Sequence, residues 1–302
     1  MLEEVPEQHK GAWTLAWSES LRRWRDASSY QEKDTALLWM GFWAQALQRK
    51  PTRGGKKDRV DVASSYKCVQ EGDWSGLVDR WERDKIKRTE QLEKMKRDRE
   101  NEECEKKEKR DLARLRREVV GLIEAGQLGK AIGRVTSYGI GNTDDPSVRH
   151  ELKVKFPARS RPLPHSVPKH KPIDAFKNLR DSLLSLNSGT APGSGGLRNE
   201  YLYALGERMT DEEIKLSEEL GLAYTSGELP NWFYMVWLSL QTVAPYKTAD
   251  RNAVRPLGLR NSLTKVFHKE PMVQSKSEVR EYLEPVQVGI SIAGAALLTR
   301  SV

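Results

Sequence analysis

The sequence contains little cysteine or histidine. Its 302 residues include two cysteines, Cys68 and Cys104, and five histidines. Two cysteines in unlike contexts give no disulfide framework, which is typical of a protein from a reducing compartment. His165 and His170 lie in a proline-rich stretch without a neighbouring cysteine or carboxylate cluster, so the sequence predicts no zinc site.

Long apolar runs are also missing. The longest, at residues 232–244, is too short and too mixed to cross a bilayer, and the first ten residues are polar and acidic, unlike a secretory signal. We therefore expect an intracellular protein of the nucleus or cytoplasm that makes no membrane contact. The net charge of +8 and the pI near 9.3 favour a polyanionic partner.

Charge is abundant instead, and it is concentrated at residues 79–118. About three quarters of these residues are charged, with alternating sign and with i,i+4 pairs such as Glu90–Lys94 and Glu93–Arg97. Apolar residues are too sparse for a coiled-coil seam. The pattern predicts one solvated helix of about 60 Å, at 1.5 Å per residue. The near balance of positive and negative residues argues against nucleic-acid binding along this helix. The alternative is that the charged helix binds a protein partner.

The first part of the chain predicts tryptophan-rich helices. Trp13, Trp17, Leu21 and Trp24 recur at helical spacing, and a second helix is expected from about 34 to 49 with Asp34 as its cap. Tryptophans interleaved with arginines can stack unpaired bases. Tryptophans on one helical face are nevertheless more typical of core packing. A flexible basic loop is expected at residues 51–58.

The rest of the chain predicts helices separated by breaks. A helical hairpin is expected at 118–137 with a break at Gly126, and a helix with a stripe of buried residues should begin at Pro172. Thr210 with Glu213 forms a capping box. Pro271 should end the last helix at about Lys269. The predicted organisation is a helical region at 1–78, a charged helix at 79–118, a helical hairpin and loop at 119–155, a linker with five prolines at 156–172, and a domain at 173–302.

Residues 240–265 are the centre of the functional prediction. Two short apolar runs, each ending in a basic residue, flank a polar break, which is the pattern of a β-hairpin. Pro245 and Pro256 cannot donate to a ladder, so we expect edge or irregular strands with a surface open to a ligand. Four basic residues suited to phosphate oxygens lie along this stretch. They are Lys247, Arg251, Arg255 and Arg260. Asn261 and Ser262 are then expected to cap a helix.

Four ordered blocks in the last 130 or so residues resemble the fingers region of a reverse transcriptase of the non-LTR retrotransposon kind. The blocks are GTAPGSGGLRNEYL at 189–202, GELPNW at 227–232, TVAPYK with VRPLGLRNSLTKVF between 242 and 267, and EPVQVGISIAGA at 284–295. The resemblance implies an RNA-directed DNA polymerase fold. The expected fold class is therefore mostly α with a small α+β part, in which incomplete fingers carry a short β-hairpin.

The resemblance also implies a set of binding residues. In such enzymes the basic residues of the fingers hairpin hold the triphosphate of the incoming nucleotide and the template. This role transfers to Arg255, which stands in the matching Arg-Pro pair, and to Lys247. Arg198 and Asn199 follow a glycine-rich turn whose backbone is expected to approach a nucleic-acid strand. The predicted nucleotide or nucleic-acid site is Lys247, Arg251, Arg255, Arg260, Arg198 and Asn199. The alternative for each charge is a solvated strand end.

Catalytic carboxylates are what the sequence lacks most clearly. Two-metal polymerisation needs aspartates fixed beside both ions, and no aspartate follows Asp250. We therefore expect no catalytic residue and no cofactor in this chain, with magnesium only in a complete polymerase. The predicted function is a truncated reverse-transcriptase-like protein that at most binds RNA, DNA or a nucleotide triphosphate. The alternative is a helical scaffold or interaction protein built on the tryptophan helices and the charged helix.

Overall fold

The chain folds into helices with one small sheet. A computed structural model describes residues 2–48, 56–100, 104–124, 126–155, 176–193 and 195–283. About 70% is helical, and the sheet has two antiparallel strands, so the mostly-α fold class with a short hairpin is confirmed. The helices are α1 (Lys10–Asp26), α2 (Tyr30–Leu47), α3 (Lys56–Glu71), α4 (Trp74–Glu100), α5 (Cys104–Glu124), α6 (Leu128–Val135), α7 (Pro146–Lys155), α8 (Leu179–Leu184), α9 (Asn199–Arg208), α10 (Asp211–Ser226), α11 (Asn231–Trp237), α12 (Ser262–Gln274) and α13 (Lys276–Leu283). The strands are β1 (Gln241–Val243) and β2 (Leu257–Leu259).

The described residues form two compact units. The helical unit takes its residues from 2–73, 176–240 and 260–283, and the hairpin unit takes its residues from 74–155 and 241–259. The chain therefore passes from one unit to the other more than once. The predicted linker at 156–172 and the apolar block at 284–295 lie outside the described residues.

The core of the helical unit is built on the N-terminal tryptophans. α1 packs against α2, α9 and α10, and Trp13, Trp17 and Trp43 are at most 2% exposed. Trp13 Nε1 donates to the Tyr201 carbonyl at 2.9 Å, and Trp43 Nε1 donates to Ser20 Oγ at 2.8 Å. All three indoles are buried, and those of Trp13 and Trp43 have their N–H groups hydrogen-bonded, so the core-packing prediction is confirmed for them.

α2 begins earlier in the chain than predicted, and α3 was not predicted. Ser29, not Asp34, caps α2: Ser29 Oγ accepts from Glu32 N at 3.2 Å, and the Glu32 carboxylate accepts from Ser29 N at 3.2 Å. This reciprocal capping box satisfies two amides at the helix start, which Asp34 inside the helix cannot do. The basic loop predicted at 51–58 is wrong for residues 56–58, which belong to α3. Residues 51–55 lie outside the described part.

The charged stretch is helical where the structure describes it. Helix α4 already begins at Trp74 and α5 continues to Glu124, so the helical region is longer than 79–118 at both ends. The extra residues include Leu77, which is 1% exposed, and Leu122, which is half-buried. Apolar contacts therefore extend the helices beyond their solvated middle. Residues 101–103 lie outside the described chain.

The helical hairpin predicted at 118–137 is confirmed as the end of α5 with α6. Gly126 has φ +70°, the left-handed conformation that ends α5 and that glycine adopts without steric cost. Glu118 of α5 accepts from Arg114 Nε at 2.8 Å and pairs with Arg134 of α6 at 2.7 Å. The Glu118–Arg134 pair connects the two helices across the break, while the Arg114–Glu118 pair lies within α5.

Two helix boundaries were predicted from prolines, of which Pro172 lies outside the described residues and Pro271 lies inside α12. The helix expected from Pro172 begins, in the described chain, only at Leu179, and the buried Phe176 precedes it. The predicted break before Pro271 is wrong, because α12 runs on to Gln274 with this proline inside. An interior proline costs about 3 kcal/mol, a loss that the burial of Val266 and Phe267 offsets. The capping box of Thr210 and the end of α10 at Gly227 are confirmed.

Candidate nucleic-acid interface

The predicted β-hairpin is present. β1 pairs antiparallel with β2, with Gln241 opposite Leu259 and Val243 opposite Leu257. Beyond the strands the pairing continues through the Tyr246–Val254 bridge, with Lys247 N donating to the Ala253 carbonyl at 2.9 Å. Pro245 donates nothing, but its carbonyl accepts from Arg255 N at 2.7 Å. The proline is thus accommodated without breaking the ribbon.

The first arm of the hairpin is not an open edge. Gly141 N donates to the Ala244 carbonyl at 2.8 Å, and Tyr246 N donates to the Gly139 carbonyl at 3.0 Å. Residues 139–141, in the predicted region of helical hairpin and loop at 119–155, therefore form a third segment along Ala244–Tyr246. This corrects the expectation that both arms expose an edge to a ligand. Sequence spacing gave no signal for it, because the two segments lie about a hundred residues apart.

Helix α7 is hydrogen-bonded to the second arm of the hairpin at Val254. The Glu151 carboxylate accepts from Val254 N at 2.7 Å and from Lys155 Nζ at 2.8 Å, and Lys155 also donates to the Val254 carbonyl. The Lys155 ammonium, followed by the Val254 amide, lowers the pKa of the Glu151 carboxyl. Both partners are about 30% exposed, so solvent screens the pair. The helix was not predicted, although Glu151 and Lys155 have the i,i+4 spacing of a helical ion pair.

A small apolar core fixes which face of the hairpin is turned to solvent. Val148 of α7 packs with Ala244 and Val254, and Tyr246 lies against the same cluster. Successive side chains of a strand alternate between faces, so Lys247 and Arg255 lie on the face opposite Tyr246 and Val254. In this register Lys247 and Arg255 are diagonal neighbours on adjacent strands, and such positions have their Cα atoms about 7–8 Å apart.

The turn between the arms holds the third cation. The Asp250 carboxylate accepts from Thr248 Oγ1 and from Asn252 Nδ2, the latter at 2.9 Å. The hydrogen bond from the Thr248 hydroxyl lowers the pKa of the Asp250 carboxyl. Arg251 follows with φ +57°, a left-handed conformation unusual for a residue other than glycine. Its guanidinium carbon lies 5.7 Å from the centroid of the Tyr246 ring, a cation–π distance.

The structure groups three of the six predicted residues. Lys247, Arg251 and Arg255 are exposed on the hairpin, and none of them forms an ion pair with an acid among the described residues. The other three belong to the helical unit. They are Arg198, Asn199 and Arg260. The hairpin cations are therefore the cluster that the geometry defines.

The glycine-rich turn lies close to the protein's own backbone. A Cβ on Gly193 would stand 2.6 Å from Asn261 N and 2.8 Å from the Arg260 carbonyl oxygen. Asn261 caps α12 by accepting from Leu263 N at 3.0 Å, as predicted. The glycine-rich turn was expected to bring its backbone close to a nucleic-acid strand. At Gly193 the backbone instead lies close to the Arg260–Asn261 segment, where α12 starts. Glycine is needed there because any side chain would overlap that backbone.

Asn199 is buried and stabilises the glycine-rich turn, so its side chain is not part of the exposed surface. Its side chain is buried, and Nδ2 donates to the Asn187 carbonyl at 2.8 Å, which ties the start of the turn to α9. Arg198 is half-buried, and Arg260 is exposed. Of the three helical-unit residues, Arg260 therefore presents a charge most directly to solvent.

No known relative identifies the chain. Comparisons with protein family models, with curated proteins and with solved structures all find no match. None of the described helices has the length and apolar character needed to span a bilayer. Across the described ranges, no group of three His, Cys, Asp or Glu side chains is placed to hold a metal ion. Any function must therefore be argued from the chain's own residues.

A cavity in the helical unit offers a different chemistry. It has a volume of about 520 Å³, and three glutamates line it with one lysine: Glu4, Glu200, Glu207 and Lys10. Lys10 is already paired with Glu207 at 2.8 Å. Negative charge of this kind disfavours phosphate, so the cavity does not compete with the hairpin as a nucleic-acid site.

Proposed function

We propose that the chain binds the phosphate backbone of single-stranded RNA or DNA through Lys247, Arg251 and Arg255. The supporting observation is that these three cations are exposed on one hairpin and that none forms an ion pair with an acid in the part of the chain that the structure describes. Charges already paired with carboxylates would have to break those pairs before they could bind phosphate. A supported ribbon also holds Lys247 and Arg255 at fixed spacing, so little additional order is lost on binding.

The proposal includes an origin for this surface. The four ordered blocks, together with a hairpin that leads into a helix capped by Asn261, favour a region similar to the fingers of a non-LTR retrotransposon reverse transcriptase. A nucleotide triphosphate is a second ligand of the same chemistry. Such a ligand places the protein in the nucleus or cytoplasm.

The test is the salt dependence of binding by the full chain. The affinity for a fluorescent single-stranded RNA is measured between about 50 and 200 mM salt, where three phosphate contacts contribute a slope of about −2 in log K against log salt, or roughly 20-fold. Replacing Lys247, Arg251 and Arg255 by alanine should make the slope shallower by about two. Other cations set the remaining slope, so the difference between variants is the decisive quantity.

A matched control separates this site from general charge. Arg83, Lys87 and Arg97 are exposed on α4 in the same unit. Their replacement by alanine removes two arginines and one lysine, the same number and type of charges as the hairpin variant removes. This variant should keep the wild-type slope within about 0.5. Equal losses in both variants would mean that total charge rather than the hairpin binds RNA, and an unchanged slope in the hairpin variant would refute the proposal.

A further inference from the structure

The hairpin of α5 and α6 leaves an aliphatic surface uncovered. α6 faces α5 with Ala131, which is 3% exposed, while the remaining apolar residues of α6 and two of α5 are 49–69% exposed. These residues form the α5–α6 face: Leu112, Ile123, Leu128, Ile132 and Val135. Leu128, Ile132 and Val135 recur at spacings of four and three, which places them on one side of α6. Exposed aliphatic side chains concentrated on one side of a helix are typical of an interaction site.

The charges that border this face are mostly positive. Residues 104–135 contain nine Lys or Arg residues and five Asp or Glu residues, and α6 itself carries only basic charge. Lys109 and Arg116 are exposed, and their spacings of three and four from Leu112 place them beside it on α5. The Glu118 carboxylate is already paired with Arg114 and Arg134. A partner that binds the α5–α6 face would therefore contact aliphatic side chains bordered by positive charge.

We propose that the α5–α6 face binds an amphipathic helix of a partner protein whose apolar stripe is bordered by Asp and Glu. Charge complementarity selects this occupant, because acidic residues beside the stripe would pair with Lys109 and Arg116. A second copy of this chain would instead bring two positive borders together. A bilayer surface is disfavoured by the absence of Trp and Phe from the face, since these residues commonly anchor interfacial helices.

The test uses the full chain and two synthetic helical peptides. Both peptides are on the order of 20 residues and carry leucines at i, i+3, i+4 and i+7; one has Glu beside the stripe and the other has Lys at the same positions. Fluorescence anisotropy should show that the Glu peptide binds at least tenfold more tightly, which is about 1.4 kcal/mol. Lys109→Glu combined with Arg116→Glu should reverse this preference.

The apolar contribution is tested separately. Leu128→Ala with Ile132→Ala should weaken binding of the Glu peptide by roughly tenfold or more. Both side chains are about 60% exposed, so the fold should tolerate the change, which circular dichroism checks. Met272→Ala in α12 is the control, because Met272 is 70% exposed and lies in the other unit. It should leave the affinity unchanged.

Three outcomes would overturn the proposal. Equal affinity for the Glu and Lys peptides would remove the charge argument. A dimer in analytical ultracentrifugation that Ile132→Ala dissociates would identify a second copy as the occupant. Binding to phosphatidylserine vesicles that the Leu128 and Ile132 variant loses, without binding of either peptide, would identify a lipid surface instead.

Discussion

Replacing Gly193 by alanine tests whether the glycine-rich turn is held against the start of α12. The new methyl group would lie 2.6 Å from Asn261 N, 2.7 Å from the Arg260 carbonyl carbon and 2.8 Å from its oxygen. All three atoms are backbone, so no flexible side chain can move aside. Either the turn or the Arg260–Asn261 segment must shift.

The expected cost follows from two contributions. Forcing a methyl group into a packed site costs about 1–3 kcal/mol. A shift of Asn261 also weakens its bond to Leu263 N, and loss of an N-cap costs about 1 kcal/mol. We therefore expect Gly193→Ala to lower the free energy of unfolding by about 2–4 kcal/mol. Urea unfolding followed by circular dichroism measures this change, provided that the slope with urea stays the same.

The control is a glycine with open space around it. Gly129 lies in α6, and a Cβ there would meet no atom within 4 Å. Gly129→Ala should stabilise the protein by up to about 1 kcal/mol, through the higher helix propensity of alanine. If Gly193→Ala unfolds within about 0.5 kcal/mol of the wild type, the turn is not held as described and the reasoning fails.

Three further changes have defined outcomes. Ser29→Ala removes the capping box of α2 and should lower the free energy of unfolding by about 1 kcal/mol in the same urea assay, whereas Ser28→Ala should cost less. The pKa of Glu151 is lowered in the fold, so its stabilising effect is present above the ordinary value of 4.5 and is lost as pH falls through the folded pKa. Glu151→Gln should therefore flatten the fall in urea midpoint between about pH 6 and 3.5, and an unchanged fall would contradict the role given to this carboxylate. Arg255→Ala should weaken RNA and DNA binding alike for all sequences tested, since the contact proposed for Arg255 is with backbone phosphate alone; a sequence-dependent loss would indicate base contacts.

Local signals in the sequence predicted local structure well. The spacing of Trp13 and Trp17 predicted α1, Thr210 with Glu213 predicted the start of α10, and Gly126 predicted the break after α5. Each signal lies within a few residues of the feature it determines. Pro271 failed as a signal because burial of the surrounding helix, a tertiary effect, outweighs the local cost of proline.

Features that depend on distant residues could not be predicted from spacing. The bond from Val254 N to Glu151 spans 103 residues, and nothing near either residue indicates it. The same holds for Gly193, whose glycine-rich neighbours suggested a close approach to a nucleic-acid strand although its role is set by the backbone of Asn261. Of the cations predicted for the candidate site, Lys247, Arg251, Arg255 and Arg260 are exposed, whereas Arg198 is half-buried. The sequence did not predict that they divide between two units.

The contact between Trp13 and the Tyr201 carbonyl has a consequence for synthesis on the ribosome. The two residues are 188 positions apart, so α1 leaves the exit tunnel long before its partner helix is made. At about 5–20 residues per second the delay is roughly 10–40 s, during which Trp13 and Trp17 have no completed core to enter. Nascent chains of this protein should therefore depend on chaperones that shield aromatic side chains, and slowed translation should increase aggregation.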